Sequence, residues 1–213
     1  MSLLVKMFHF VNLASFKYKI DESHSVGHSM NILHFAHKIF QSEQSKYPEL
    51  REQERIVYMC AVLHDMCDKK YMNEEQGIME MEQFLAPMIT ANELSVTKQI
   101  VSTMSYSKVK KQGFPKLDAY TRVYHIVREA DLLCAYDFDR SMIYHMNQNN
   151  CDVLVAFENA HDLFRNRVFR HHSDGLFTTE YAKIKSTELE KEAYCRIQAW
   201  KEILTNDCFD TKK

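Results

Sequence analysis

The sequence predicts an all-α protein, and three observations carry that expectation. Glycine occurs 4 times and proline 3 times in 213 residues, too rarely to punctuate the many short strands and turns of a β architecture. Apolar residues recur at helical steps through most of the chain. Hydrophobic residues make up 46% and charged residues 26%, which is enough for a packed core and argues against disorder. The length suits one domain, read here as a helical bundle over residues 1–213. Its core spans about 20–140, with additional C-terminal helices at about 151–205.

The elements follow in order. The opening MSLLVKMFHFVNLASFKYKI is apolar but lacks a small-residue cleavage site, so it reads as an N-terminal helix packed on the body, with a secretory signal as the second reading. No segment approaches the apolar length that crosses a bilayer. From Ser25 to Gln41, Val26, Met30, Leu33, Ile39 and Phe40 have helical spacing, and Asp21 or Ser23 is placed to cap it. Pro48 marks a loop. Arg51 to Met66 is a second helix, and its later part, IVYMCAVL, is apolar on every side and therefore buried. Shorter helices are expected at Asn73–Phe84 and Asn92–Tyr106, separated by Pro87. The basic segment SKVKKQGFPKL holds one glycine and one proline and reads as a mobile loop. Asp118 to Asn147 is a long helical run, bent or broken near Asp137. Val153–Arg170 and Thr179–Leu204 complete the set, with HSDGL (172–176) as the turn between them.

The net charge of −2 offers no basic surplus for sequence-independent nucleic-acid binding. Six cysteines, at 60, 67, 134, 151, 195 and 208, include no Cys-x-x-Cys pair and read as reduced thiols of an intracellular protein. The methionines and phenylalanines are assigned to core packing.

Chemistry concentrates at His64-Asp65. The pair closes a buried apolar run, AVLHDMCD, where polar groups are costly unless something satisfies them. A divalent metal would satisfy both, since neutral imidazole and carboxylate are its ordinary ligands. A pair alone is a weak signal: His161-Asp162 is another, in a stretch of mixed polarity. His28 shares a helix face with Ile32 and Ala36, the usual setting of a satisfied core histidine. Asp131 sits among Ala130, Leu132, Leu133 and Ala135; a carboxylate there needs a partner, and a salt bridge to Arg128 or Lys69 would supply one. Three unusual residues on three helices are better explained together, by one site, than apart.

His28 with SMNILHFA, the pair in VLHDMCDKKY, and Asp131 in READLLCAY together resemble the H…HD…D signature of the HD phosphohydrolase superfamily. ADLLCAY is similar to a segment of bacterial HD-type nucleotidases. STMSYS (102–107) with HDMCDKKY resembles uncharacterised HD hydrolases that carry HD-x-x-D and a Ser-aromatic-Ser loop. The likeness covers roughly residues 20–140. It implies a helical bundle with one divalent metal ion (Mn, Co, Ni, Fe, Zn or Mg) on His28, His64, Asp65 and Asp131. Two-metal members carry further histidines before the final Asp; here only His125 falls in that interval, which favours a mononuclear site. The implied activity is a metal-dependent phosphomonoesterase or pyrophosphohydrolase acting on a small phosphorylated metabolite, foremost a nucleotide, through a metal-activated water. A non-catalytic metal- or nucleotide-binding regulatory module on the same fold is the alternative.

Supporting roles follow. His24, one turn before His28, would hold phosphate or the attacking water, or else be a surface histidine. Asp68 is the candidate general acid or base, its alternative being a helix cap or a partner to Lys69. Lys69, Lys70 and Arg128 are candidates for substrate phosphate. Ser105, Ser107 and the Lys108-Lys110-Lys111 cluster would form a lid, and Arg140 belongs with them. His171-His172 reads as an exposed loop, and His34, His37 and His145 lack ligand partners at useful spacing.

Overall fold

In the computed structural model, which describes residues 1–206, ten α-helices build the protein and no strand occurs among the described residues. Cys208 lies outside the described residues. α1 (Leu3–Tyr18) starts at Ser2, whose side chain accepts from the Val5 amide, and ends at Lys19 in the left-handed region. α2 (Val26–Gln44) starts at Ser25. Asp21 caps the short 3-10 turn Glu22–His24 ahead of it, accepting from the Ser23 amide. That turn sets His24 apart from the helix that carries His28.

α3 (Glu54–Leu63) is shorter than the sequence suggests, because Pro48–Gln53 winds as a 3-10 turn. Ile56, Val57 and every residue from Met59 to Leu63 are buried. The helix is surrounded by α1, α2 and the later helices over 91–103 and 121–134, which explains an apolar surface that runs all the way round. α3 ends at His64, and tight turns then carry the chain to Met72. α4 (Glu74–Leu85) starts at Asn73 and presses on those turns. A Cβ at Gly77 would meet the Cys67 Cα and the Met66 carbonyl oxygen, each at 2.7 Å. α5 (Ala91–Thr103) opens with a capping box between Thr90 and Glu93.

The segment expected to be a mobile loop is largely a helix, α6 (Tyr106–Gln112). Val109 is buried, and Lys108 pairs with Glu74 and donates to the Ser102 carbonyl at 2.6 Å. These anchors decide the matter locally, and Gly113, at φ 74°, ends the helix instead of loosening it. The long run after Asp118 is interrupted as expected near Asp137. α7 (Thr121–Cys134) stops, and the Asp137 side chain caps α8 (Phe138–Asn149) by accepting from the Arg140 amide at 3.0 Å. α9 (Val153–Asn166) returns along α8, and α10 (Glu180–Leu204) follows the turn at 172–176.

α7 carries the deepest stripe, with Val123, Tyr124, Ile126–Ala130 and Leu132–Cys134 buried. It packs most extensively on α2 and also on α3 and α10. Glu129 is fully buried and ties α7 to the start of α10: its carboxylate accepts from the amides and hydroxyls of Thr178 and Thr179 at 2.6–3.0 Å. Ala182, Ala193 and Ile197 of α10 join the same core as α2, α3 and α7. No described helix is long and apolar enough to cross a membrane.

Candidate functional site

His64 stands where α3 ends, so its ring leaves the buried run and meets α2 and α7. Its Nδ1 lies 2.9 Å from the Ala61 carbonyl and donates to it, which leaves the Nε2 lone pair free for another partner. That Nε2 is 3.2 Å from His28 Nε2 and 3.1 Å from Asp65 Oδ2. His28 Nε2 is in turn 3.4 Å from Asp65 Oδ2 and 3.7 Å from Asp131 Oδ1. One ligand atom from each of His28, His64 and Asp65 falls within 4.8 Å of the others, the one such group among the described residues.

The arrangement is costly unless a cation or proton occupies its centre. Two imidazole nitrogens face each other, and the buried Asp65 Oδ2 lacks a well-formed hydrogen bond among the described residues. Two imidazoles and a carboxylate form the donor set that first-row divalent metals prefer, so this group could hold a metal ion. Asp131 stands at the rim, its side chain 31% exposed against 2% for His28 and His64.

The electrostatics reflect the crowding. Burial, helped by the Arg140 guanidinium, holds His28 well below the ordinary histidine range. Burial likewise lowers His24 to about 4, with Lys70 and Arg140 pushing the same way against Asp65. Burial also opposes charge on His64, but Asp65 and then Asp131 outweigh it and hold it up at about 9. Asp65, despite burial, is held well below the carboxylate range, chiefly by His64.

A cavity of about 380 Å³ opens over the cluster, a size suited to a small molecule. His24, His64, Asp65, Asp68, Lys69, Lys70 and Asp131 all line it, and His28 lies behind the cluster facing a second cavity. Seven of the nine predicted site residues therefore share one wall system. Asp68 is set by its own turn: Oδ1 accepts from the Lys70 amide at 2.9 Å, and Oδ2 lies 3.4 Å from Lys70 Nζ. Lys70 Nζ also reaches His24 Nε2 at 3.3 Å. On its other side His24 Nδ1 contacts Ser23 Oγ at 2.6 Å and the Tyr71 hydroxyl at 3.0 Å. Both hydroxyls donate to Asp21, Tyr71 at 2.7 Å. Asp21 and Tyr71 thus fix the ring with Nε2 as the acceptor, toward Lys70 and the cavity.

Arg128 does not line the cavity. Its side chain is almost wholly buried, donating to the Leu176 carbonyl and lying 3.2 Å from Glu129, with Phe114 over the guanidinium. These contacts turn the side chain away from the cavity, and the phosphate-facing role predicted for Arg128 is corrected to a structural one. His125 shares that side: its Nδ1 is 3.2 Å from Arg128, and its ring packs on Phe114. His171, expected in an exposed loop, is fully buried among Tyr106, Tyr136 and Phe177. In the predicted lid, Ser105, Ser107 and Lys108 line the cavity, whereas Lys110 turns away to Asp174 at 3.3 Å. Arg140 lines the cavity too, donating to the Ser23 carbonyl at 3.0 Å and reaching His28 Nε2 at 3.4 Å.

The sequence reading missed Arg167, which enters the cavity from the end of α9 with Leu163 and Val168. In FRNRVFR it carries no local mark that separates it from solvated arginines.

No protein-family model matches the chain, and no curated protein matches it. The fold does match a structural-genomics crystal structure of a protein from Lactobacillus plantarum. The TM-score is 0.69 at 16% identity, over 95% of this chain and 96% of that one. At that identity the likeness speaks to the helical architecture alone.

Proposed function

We propose that the protein is a metal-dependent phosphohydrolase of the HD type, cleaving a phosphomonoester or pyrophosphate bond in a small phosphorylated metabolite, foremost a nucleotide. One observation carries the reading: a buried two-histidine, one-aspartate group at the floor of a cavity whose walls bear Lys69, Lys70, Lys108, Arg140 and Arg167. Such a floor suits a divalent cation, and such walls suit an anion. The H…HD…D resemblance points the same way and names Asp131 as the fourth ligand.

His28, His64 and Asp65 would hold the metal, with Asp131 closing the set from the rim. When bound, the ion would lower the pKa of a coordinated water and polarise a phosphoryl oxygen. The chain's own residues do the rest. His24 would hold phosphate or the attacking water at its cavity edge, beside Lys70, its Nδ1 turned to the Ser23 and Tyr71 hydroxyls and through them to Asp21. Asp68 holds Lys70 beside the His24 ring and is the candidate general acid or base of the site. The apolar stretch Val101, Met104, Leu132, Leu163 and Val168 offers a dry wall for a base or other flat moiety.

The test is a metal-supplemented screen of nucleoside mono-, di- and triphosphates and sugar phosphates, with His64→Ala and Asp131→Ala run beside the wild type. Activity lost with metal content in both variants is the expected result. Retention of both would sink the reading. Tight metal and nucleotide binding without turnover would instead favour the regulatory module.

A further inference from the structure

We propose that Arg167 is the phosphate-seating residue of this cavity, and that its fork selects a terminal phosphoryl group, as in a phosphomonoester, over a phosphodiester. The identity of the ligand rests on the phosphohydrolase reading; the presence of an anion seat rests on the geometry of Arg167 itself.

Most cavity cations are already engaged. Lys70 lies 3.4 Å from Asp68 and 3.3 Å from His24. Lys108 is committed to Glu74 and the Ser102 carbonyl. Arg140 donates to the Ser23 carbonyl, and Lys69 is exposed to solvent. Arg167 differs from all of them. It is half-buried, yet among the described residues no carboxylate or carbonyl accepts from its guanidinium. The group sits over Tyr106, its central carbon 4.1 Å from the ring centroid. That ring contact restrains the guanidinium before any ligand arrives, which lowers the entropy lost on binding.

Its position matches the chemistry of the floor. Arg167 lies within electrostatic reach of Asp131, Asp68 and Arg140, and lines the same cavity as Asp65 and His64. A planar fork with parallel N–H donors grips two oxygens of one phosphoryl group. A third non-bridging oxygen must remain for the metal-binding group, and a terminal phosphoryl group has three where a diester has two. Arg167 also explains why Tyr106, in the middle of the Ser105–Ser107 segment, faces the cavity: it is the positioning residue for the guanidinium. The end of α9 thereby supplies a ligand contact to a cavity whose histidine–aspartate floor comes from α2, the end of α3 and α7.

Calorimetric titration with inorganic phosphate and with dimethyl phosphate tests this, with and without manganese(II), on wild type, Arg167→Ala, Arg167→Lys and Tyr106→Leu. Phosphate is expected to bind wild type, with dimethyl phosphate weaker by about tenfold or more. Arg167→Ala should weaken phosphate by about tenfold while manganese content stays unchanged, since charge-assisted bonds of this kind are individually strong. Arg167→Lys should lose several-fold, because an ammonium lacks the fork; it decides the matter if the alanine variant fails to fold. Tyr106→Leu should fall between wild type and Arg167→Ala. Equal phosphate affinity in wild type and both Arg167 variants overturns the proposal, as does equal affinity of wild type for the two anions. Arg167-dependent phosphate binding in a protein that turns over no ester keeps the anion seat and removes the hydrolase reading. Turnover with undiminished kcat and KM in Arg167→Ala does the reverse.

Discussion

Replacing His171 by phenylalanine should flatten the acid side of the stability profile. The native ring is fully buried, and neither of its nitrogens has a hydrogen-bond partner among the described residues. Burial, with Arg167 and Arg128 adding to it against Asp174, lowers it to about 3 from an ordinary 6.5. Between those values the unfolded chain binds a proton that the folded chain refuses. The stabilising contribution is therefore complete above 6.5 and is lost as the pH falls toward the folded value. One proton corresponds to about 1.4 kcal/mol per pH unit, so His171 alone should remove about 2 kcal/mol between pH 7 and pH 5. His24, His28 and His125 are lowered in the same sense, but they are common to both proteins and cancel in the difference. A phenylalanine suits the surroundings, since Tyr106, Tyr136 and Phe177 already flank the ring, and no hydrogen bond is lost. Urea unfolding of both proteins at the two pH values gives the numbers. Wild type should lose about 2 kcal/mol more than the variant; parallel losses would refute the burial argument.

Three further outcomes follow from the packing. Glu129→Ala removes a fully buried carboxylate from Arg128, Thr178 and Thr179 and should cost about 3–5 kcal/mol in urea unfolding, with faster amide exchange at Thr178 and Thr179. Gly77→Ala places a methyl against the backbone of Met66 and Cys67; a loss of about 1–3 kcal/mol is expected, with chemical-shift changes spreading to His64 and Asp65. A stability equal to wild type would show that α4 yields there. Divalent metal at a hundredfold excess over its Kd should stabilise wild type by about 2.7 kcal/mol, seen as a rise in Tm that His64→Ala abolishes.

Much of this protein was legible along the chain. Helices reveal themselves through local spacing and the scarcity of glycine and proline, so the all-α class, the break at Asp137 and the buried run before His64 could be read directly. The group of His64 and Asp65 that could hold a metal ion was legible too, because the pair ends an apolar run that cannot tolerate unpaired polar atoms. Other features depended on which helices meet. The segment at 107–117 carries loop-forming residues, but the pairing of Lys108 with Glu74 across the cavity makes most of it a helix. Arg128 and Arg167 are equally plain arginines in sequence. Rotation of α7 buries the first against Glu129, and the end of α9 brings the second into the cavity that Asp131 lines. His171 looked like a loop residue because its aromatic neighbours come from α6, from the turn after α7 and from the approach to α10. Periodicity reports which face of a helix is apolar. Which charged side chain shares a cavity with which other is set by contacts between segments far apart in the chain, and only the tertiary structure decides that.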